Sequence, residues 1–146
     1  MKYIGIDTGT KTGLAVWDSR RRCFERIETV KIHKAMEIVR GYVDVSHDPD
    51  GDKVAVGVED ARKRKWFGTE RMSREEERKK LQGVGSVKRD ASIWEDFLSD
   101  LQVDFEMVEP KRNVTKLPKD TFRALTGFKG VTNEHNRDAA MLVFGR

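Results

Sequence analysis

Tyr3-Ile4-Gly5-Ile6-Asp7-Thr8-Gly9-Thr10-Lys11-Thr12-Gly13-Leu14-Ala15-Val16-Trp17 decides the fold. An apolar run closes on a carboxylate, a turn rich in Gly and Thr follows, and a second apolar run returns, which reads as a β-hairpin. A carboxylate at the end of a buried strand loses its water and needs a metal, a cation or hydrogen-bond donors in exchange. Taken alone, Asp7 fits two readings: a turn residue whose side chain bonds the Gly9 amide, or a ligand for a hard cation.

The same pattern recurs downstream. Val54-Ala55-Val56-Gly57-Val58-Glu59-Asp60 is apolar almost throughout, as for a central strand covered on both faces, and again ends in acid. Side by side, the two strands would bring Asp7 and Glu59 together, where repulsion favours a shared proton or a shared cation. In the last element, Asn133 is a helix N-cap, and His135 and Asp138 project from one face of the first turn. That spacing suits a metal site, and it equally suits a capped, solvated helix end.

Between these motifs the periodicity predicts a strand over 23–32, an amphipathic helix over 33–46, a loop over 47–52, a long helix over 83–101, a strand over 103–108 and a short helix over 119–125. The long helix repeats Val87, Ala91, Trp94, Leu98 and Leu101, a core stripe with part of it free for a dimer partner. Strands and helices in this order give an α/β fold, a mixed five-stranded sheet flanked by helices, and 146 residues suit one domain spanning 1–146.

The single cysteine, Cys23, excludes an internal disulfide and a Cys-rich zinc site, and is expected as a small strand hydrophobe. No run of eighteen apolar residues occurs and no charged-then-apolar leader opens the chain, so the expectation is a cytoplasmic protein without a membrane partner. Net charge is only +4, but residues 61–89 hold eleven basic residues against four acidic ones. Arg62, Lys63, Arg64 and Lys65 are expected on phosphates, with Trp66 and Phe67 stacking on opened bases. The Glu75–Lys79 and Glu76–Lys80 spacings also fit an ordinary solvated helix, and Trp66 also fits a ring folded back into the core.

Together these residues give a resemblance. Gly5-Ile6-Asp7-x-Gly9-x-x-x-Gly13, Val56-x-Val58-Glu59, Gly83-x-Gly85 and His135-x-x-Asp138-Ala139-Ala140 stand in the order found in RuvC-type Holliday-junction resolvases of the RNase H-like superfamily, and the chain resembles their compact phage versions. The resemblance implies divalent-metal binding by Asp7, Glu59 and Asp138, with His135 binding metal or orienting water. It implies Mg²⁺, with Mn²⁺ as substitute, two ions per site and a four-way DNA junction as substrate; the two-fold symmetry of a junction leads to the expectation of a homodimer, with its seam along the Val87–Leu101 stripe. Lys116 and Lys119 match only loosely the region where the family carries DNA-contacting lysines, and the basic segment after Glu59 is longer than the family's loop.

Three other functions compete. A broader branched-DNA or RNase H-type nuclease would use the same carboxylates, and a non-catalytic junction binder would not need all four positions intact. An actin-like sugar kinase or ATPase shares the Asp-x-Gly turn but needs a second lobe for which 146 residues leave no room.

Overall fold

The computed structural model describes residues 1–64, 72–111 and 116–146. Its elements are β1 (Lys2–Asp7), β2 (Lys11–Asp18), β3 (Cys23–Lys31), α1 (Ile32–Ser46), β4 (Val54–Glu59), a 3₁₀ turn (Ala61–Lys63), α2 (Arg74–Asp100), β5 (Asp104–Val108), α3 (Lys119–Thr126) and α4 (Glu134–Val143). The strands form one sheet in the order β3-β2-β1-β4-β5. β1, β2 and β3 are antiparallel neighbours, while β4 lies parallel to β1 and β5 parallel to β4. The expected α/β mixed sheet is present, with β3 as an edge strand.

Alternation along the strands divides the core in two. Ile4, Ile6, Leu14, Val16, Val54, Val56 and Val58 face α1 and α2, where Val39, Val43, Trp94 and Leu98 meet them. Ala15, Trp17 and Ile27 face the other way, onto Phe122, Ala139, Ala140 and Val143 of α3 and α4. Because side chains alternate with period two, Gly5 and Asp7 share the α4 face with Tyr3, and Gly57 and Glu59 share it with Ala55.

Two glycines let α4 sit directly on the sheet. A Cβ at Gly5 would lie 1.9 Å from the carbonyl oxygen of Ala139, and one at Gly13 would lie 2.3 Å from that of His135. Gly13 lies within β2, opposite Asp7, as the landing point for the first turn of α4.

Three expectations change. α2 starts at Arg74, nine residues before Gly83, because Ser73 and Glu76 form a reciprocal capping box and Glu75, Glu76 and Glu77 favour the positive end of the helix. Gly83 and Gly85 therefore lie inside the helix, with open space around both. Ala91, Trp94 and Leu98 lie in the core as expected, but the apolar residues of α2 left exposed are Leu81 and Ile93, outside that stripe. Cys23 is exposed, because it opens the edge strand beyond the helices' cover. Among the described residues no helix is long and apolar enough to cross a membrane.

Candidate active site

β1 and β4 run parallel with Ile6 opposite Val58, so each strand delivers its terminal carboxylate, Asp7 or Glu59, to the same end and the same face of the sheet. α4 enters over that end. Its Asn133 cap accepts from the Asn136 amide at 3.0 Å and donates from Nδ2 to Thr29 Oγ1 at 2.9 Å, pinning the helix start to β3. From there the first turn carries His135 over Asp7 and brings Asp138 within electrostatic reach of Asp7 and Glu59.

The side chains are linked. With its proton on Nδ1, His135 donates to Asp7 Oδ2 at 3.1 Å, and Lys116 Nζ donates to Asp138 Oδ2 at 2.5 Å. Burial pushes the Asp7 carboxyl up to about 6; His135 and Lys116 oppose that rise, and Asp138 adds to it. Glu59 is pushed up to about 7 by burial first and then by Asp7, with Lys116 and Arg64 opposing. Burial works against the charge on Lys116, but its bond to Asp138 and the fields of Asp138, Glu59 and Asp7 outweigh it and raise its pKa. The cluster is short of positive charge, the ordinary signature of carboxylates gathered for a task.

A donor set of three carboxylate oxygens and one imidazole, with no thiol, suits a hard divalent cation. Among the described residues, no three His, Cys, Asp or Glu side chains stand close enough to hold an ion in the present arrangement. Lys116 is paired with Asp138, and His135 with Asp7. The residues fit the cation in chemistry, and Lys116 offsets part of the carboxylates' charge.

Beside the cluster is a cavity of about 190 Å³ whose lining includes Glu59 and Asp138 together with Lys111, Lys116 and Arg137. Cations beside acids make this a place where a phosphate can meet the carboxylates. A larger cavity of about 640 Å³ lies at the other end of the sheet, around Lys2, Glu25 and Tyr42, and none of the site carboxylates lines it.

The basic segment is partly structural. Arg62 donates from Nε to Asp60 Oδ1 and from Nη2 to Asp60 Oδ2, each at 2.8 Å, and reaches Ser92 and Glu95 of α2 at 3.2 and 2.5 Å. Adjacent carboxylates thus do different work: Glu59 faces the site, and Asp60, buried and held below the usual carboxylate range by Arg62, clamps α2 to the end of β4. Lys63 donates to the Met107 carbonyl. Arg64 is exposed, and Lys119 is exposed at the start of α3. Lys65, Trp66 and Phe67 lie outside the described residues. Lys116, expected only as a DNA contact, lies within the carboxylate cluster; no spacing in the sequence signals that position, because the residues before it carry no periodic pattern.

No family model matches the sequence, and no curated protein matches it. Among solved structures, the chain is similar to T. thermophilus RuvC in complex with Holliday junction substrate, at a TM-score of 0.51 over 99% of this chain and 92% of that one. The fold is RuvC-like. At 18% identity the likeness establishes architecture, and the chemistry must be argued from the residues themselves.

Proposed function

We propose that the chain is a structure-selective endodeoxyribonuclease that resolves four-way DNA junctions by paired, divalent-ion-dependent phosphodiester hydrolysis. The observation that carries this reading is the convergence of Asp7, Glu59 and Asp138, from three separate elements, on one face at one end of a RuvC-like sheet. The solved relative was captured on a Holliday junction, which makes branched DNA the substrate class to test first.

In this reading Asp7, Glu59 and Asp138 hold Mg²⁺, with two ions as the expected complement and Mn²⁺ as a substitute. When bound, the ions supply Lewis acidity, which makes a water nucleophilic near neutral pH and stabilises charge on the leaving 3′ oxygen. His135 fixes the orientation of Asp7 through its Nδ1 proton. Lys116, Lys111 and Arg137 face the site with positive charge and draw the scissile phosphate toward the carboxylates. Arg64 and Lys119 extend that field on exposed surfaces, and Lys65, Trp66 and Phe67 are assigned to the strands at the crossover.

A four-way junction has two-fold symmetry, so a C2 homodimer with two sites matches it. Leu81 and Ile93, the outward apolar residues of α2, mark the seam. On this reading the protein works in the cytoplasm of a bacterial cell or phage-infected host, where such DNA is found. The same carboxylates would cut a replication fork, a flap or an RNA–DNA hybrid. Parallel cleavage assays on junction, fork, flap and hybrid test the assignment: junction cutting with symmetric nicks supports it, and equal cutting of all four replaces it with a general branched-substrate nuclease.

A further inference from the structure

β2 begins two residues before Gly13, the partner of Asp7, so the β2–β3 ribbon overhangs the end of β1. At its tip Lys11 is directly opposite Lys31. Directly opposed residues in an antiparallel pair share a face, and Lys11, Gly13 and Ala15 alternate onto the face that carries α4 and Asp7. Both lysines are exposed, and among the described residues neither ammonium has a carboxylate within ion-pair distance. Like charges directly opposed across two strands are destabilising.

The tip is held firmly. Thr12 Oγ1 donates to the Gly9 carbonyl at 2.8 Å, the Ile32 amide donates to the Thr10 carbonyl at 3.3 Å, and Asn133 bonds Thr29 in the neighbouring row. Two residues of strand place Lys11 about 7 Å beyond the register of Asp7, which is the rise of about two nucleotides along one strand.

We propose that Lys11 and Lys31 form a fixed phosphate clamp that holds the cleaved strand about two nucleotides from the scissile position, on the side of the site away from Lys116. The clamp rests on the nuclease reading for its substrate, but its geometry is a property of the β2–β3 tip. The lysines are positioning residues, and an anionic strand removes the repulsion between them.

The test measures affinity for a fluorescent four-way junction, a duplex and a single strand, each against salt concentration, for the wild type, Lys11→Gln, Lys31→Gln, the double variant and Lys53→Gln. Lys53 is an exposed lysine at the opposite end of the sheet. Each clamp substitution should lower the salt slope on duplex DNA by about 0.9, so that the loss of affinity between 50 and 200 mM salt becomes about 3.5-fold smaller per lysine. Lys53→Gln should leave the slope unchanged. Lys31→Glu should raise the melting temperature by about 1–3 °C by pairing with Lys11 while weakening DNA binding, a combination that a purely solubilising role for Lys31 does not produce. Clamp variants whose slopes match that of Lys53→Gln would overturn the proposal. If the wild type binds duplex as well as junction and the clamp variants still lose slope, the clamp stands and the junction reading falls. Binding to none of the three DNAs would overturn both.

Discussion

Lys116 places its ammonium 2.5 Å from Asp138 Oδ2, within the field of Asp7 and Glu59, and so stands where a carboxylate cluster needs a cation. Its replacement by Gln removes that charge. In the metal-free protein at pH 8 the variant should lose about 1–2 kcal/mol of stability, and Mg²⁺ should raise its melting temperature by more than it raises that of the wild type. Thermal melts with and without Mg²⁺ check this. An identical Mg²⁺ shift in the two proteins would show that Lys116 and the ion do not share a site.

The same cluster gives the metal-free protein an acid-leaning stability. Asp7 and Glu59 keep their protons in the folded chain at pH values where the unfolded chain has lost them, since their pKa values rise to about 6 and about 7 from ordinary values of 3.8 and 4.5. Folding therefore takes up protons between about pH 4 and pH 7, and stability falls as pH rises through that window. Asp18 and Asp60 are shifted down, so their contribution is lost only as pH falls below the ordinary carboxylate range. Denaturant melts in EDTA across pH 4–8 should show the decline, and Glu59→Gln should flatten it.

Arg62 separates a structural cation from a DNA contact. With its guanidinium on Asp60, Ser92 and Glu95, Arg62→Ala leaves the buried Asp60 carboxylate unpaired and should cost about 2–4 kcal/mol. Arg62→Lys should not restore the loss, since an ammonium cannot reproduce the forked pairing. The salt slope of DNA binding should not change at temperatures where the variant is folded. A drop of about 0.9 in that slope would return Arg62 to the phosphate contacts.

Glycine substitutions should split by position. Gly5→Ala drives a methyl group into the Ala139 carbonyl and should lift α4, costing more than about 3 kcal/mol and abolishing function together with stability. Gly83→Ala faces open space on a helix and should stabilise by about 0.5–1 kcal/mol. Equilibrium denaturation of both variants measures the difference.

Much of this architecture was legible in the residues. Strand ends at Asp7 and Glu59 could be read because a nearly continuous apolar run, as for a strand covered on both faces, stops at a carboxylate; the α4 motif could be read because Asn133 is a strong cap with His135 and Asp138 at helical spacing. The start of α2 was hidden because Gly83 and Gly85 mimic a loop, and the capping box at Ser73 and Glu76 outweighs them. The partition of Glu59 from Asp60, and the commitment of Arg62 to Asp60, depend on which side of the sheet α2 crosses. Composition showed a basic run without distinguishing its structural members from those facing solvent. The position of Lys116 against Asp138 is a tertiary contact between residues 22 apart, and no local pattern encodes it.

The most direct test incubates the purified protein and its Asp7→Asn variant with a synthetic four-way junction, with and without Mg²⁺, and maps the nicks on all four strands. The account predicts paired, symmetric nicks by the wild type only when Mg²⁺ is present, and a variant that binds the junction but cuts at least about a hundredfold more slowly. An Asp7→Asn protein that cuts at the wild-type rate, or wild-type cutting that persists in EDTA, would contradict it.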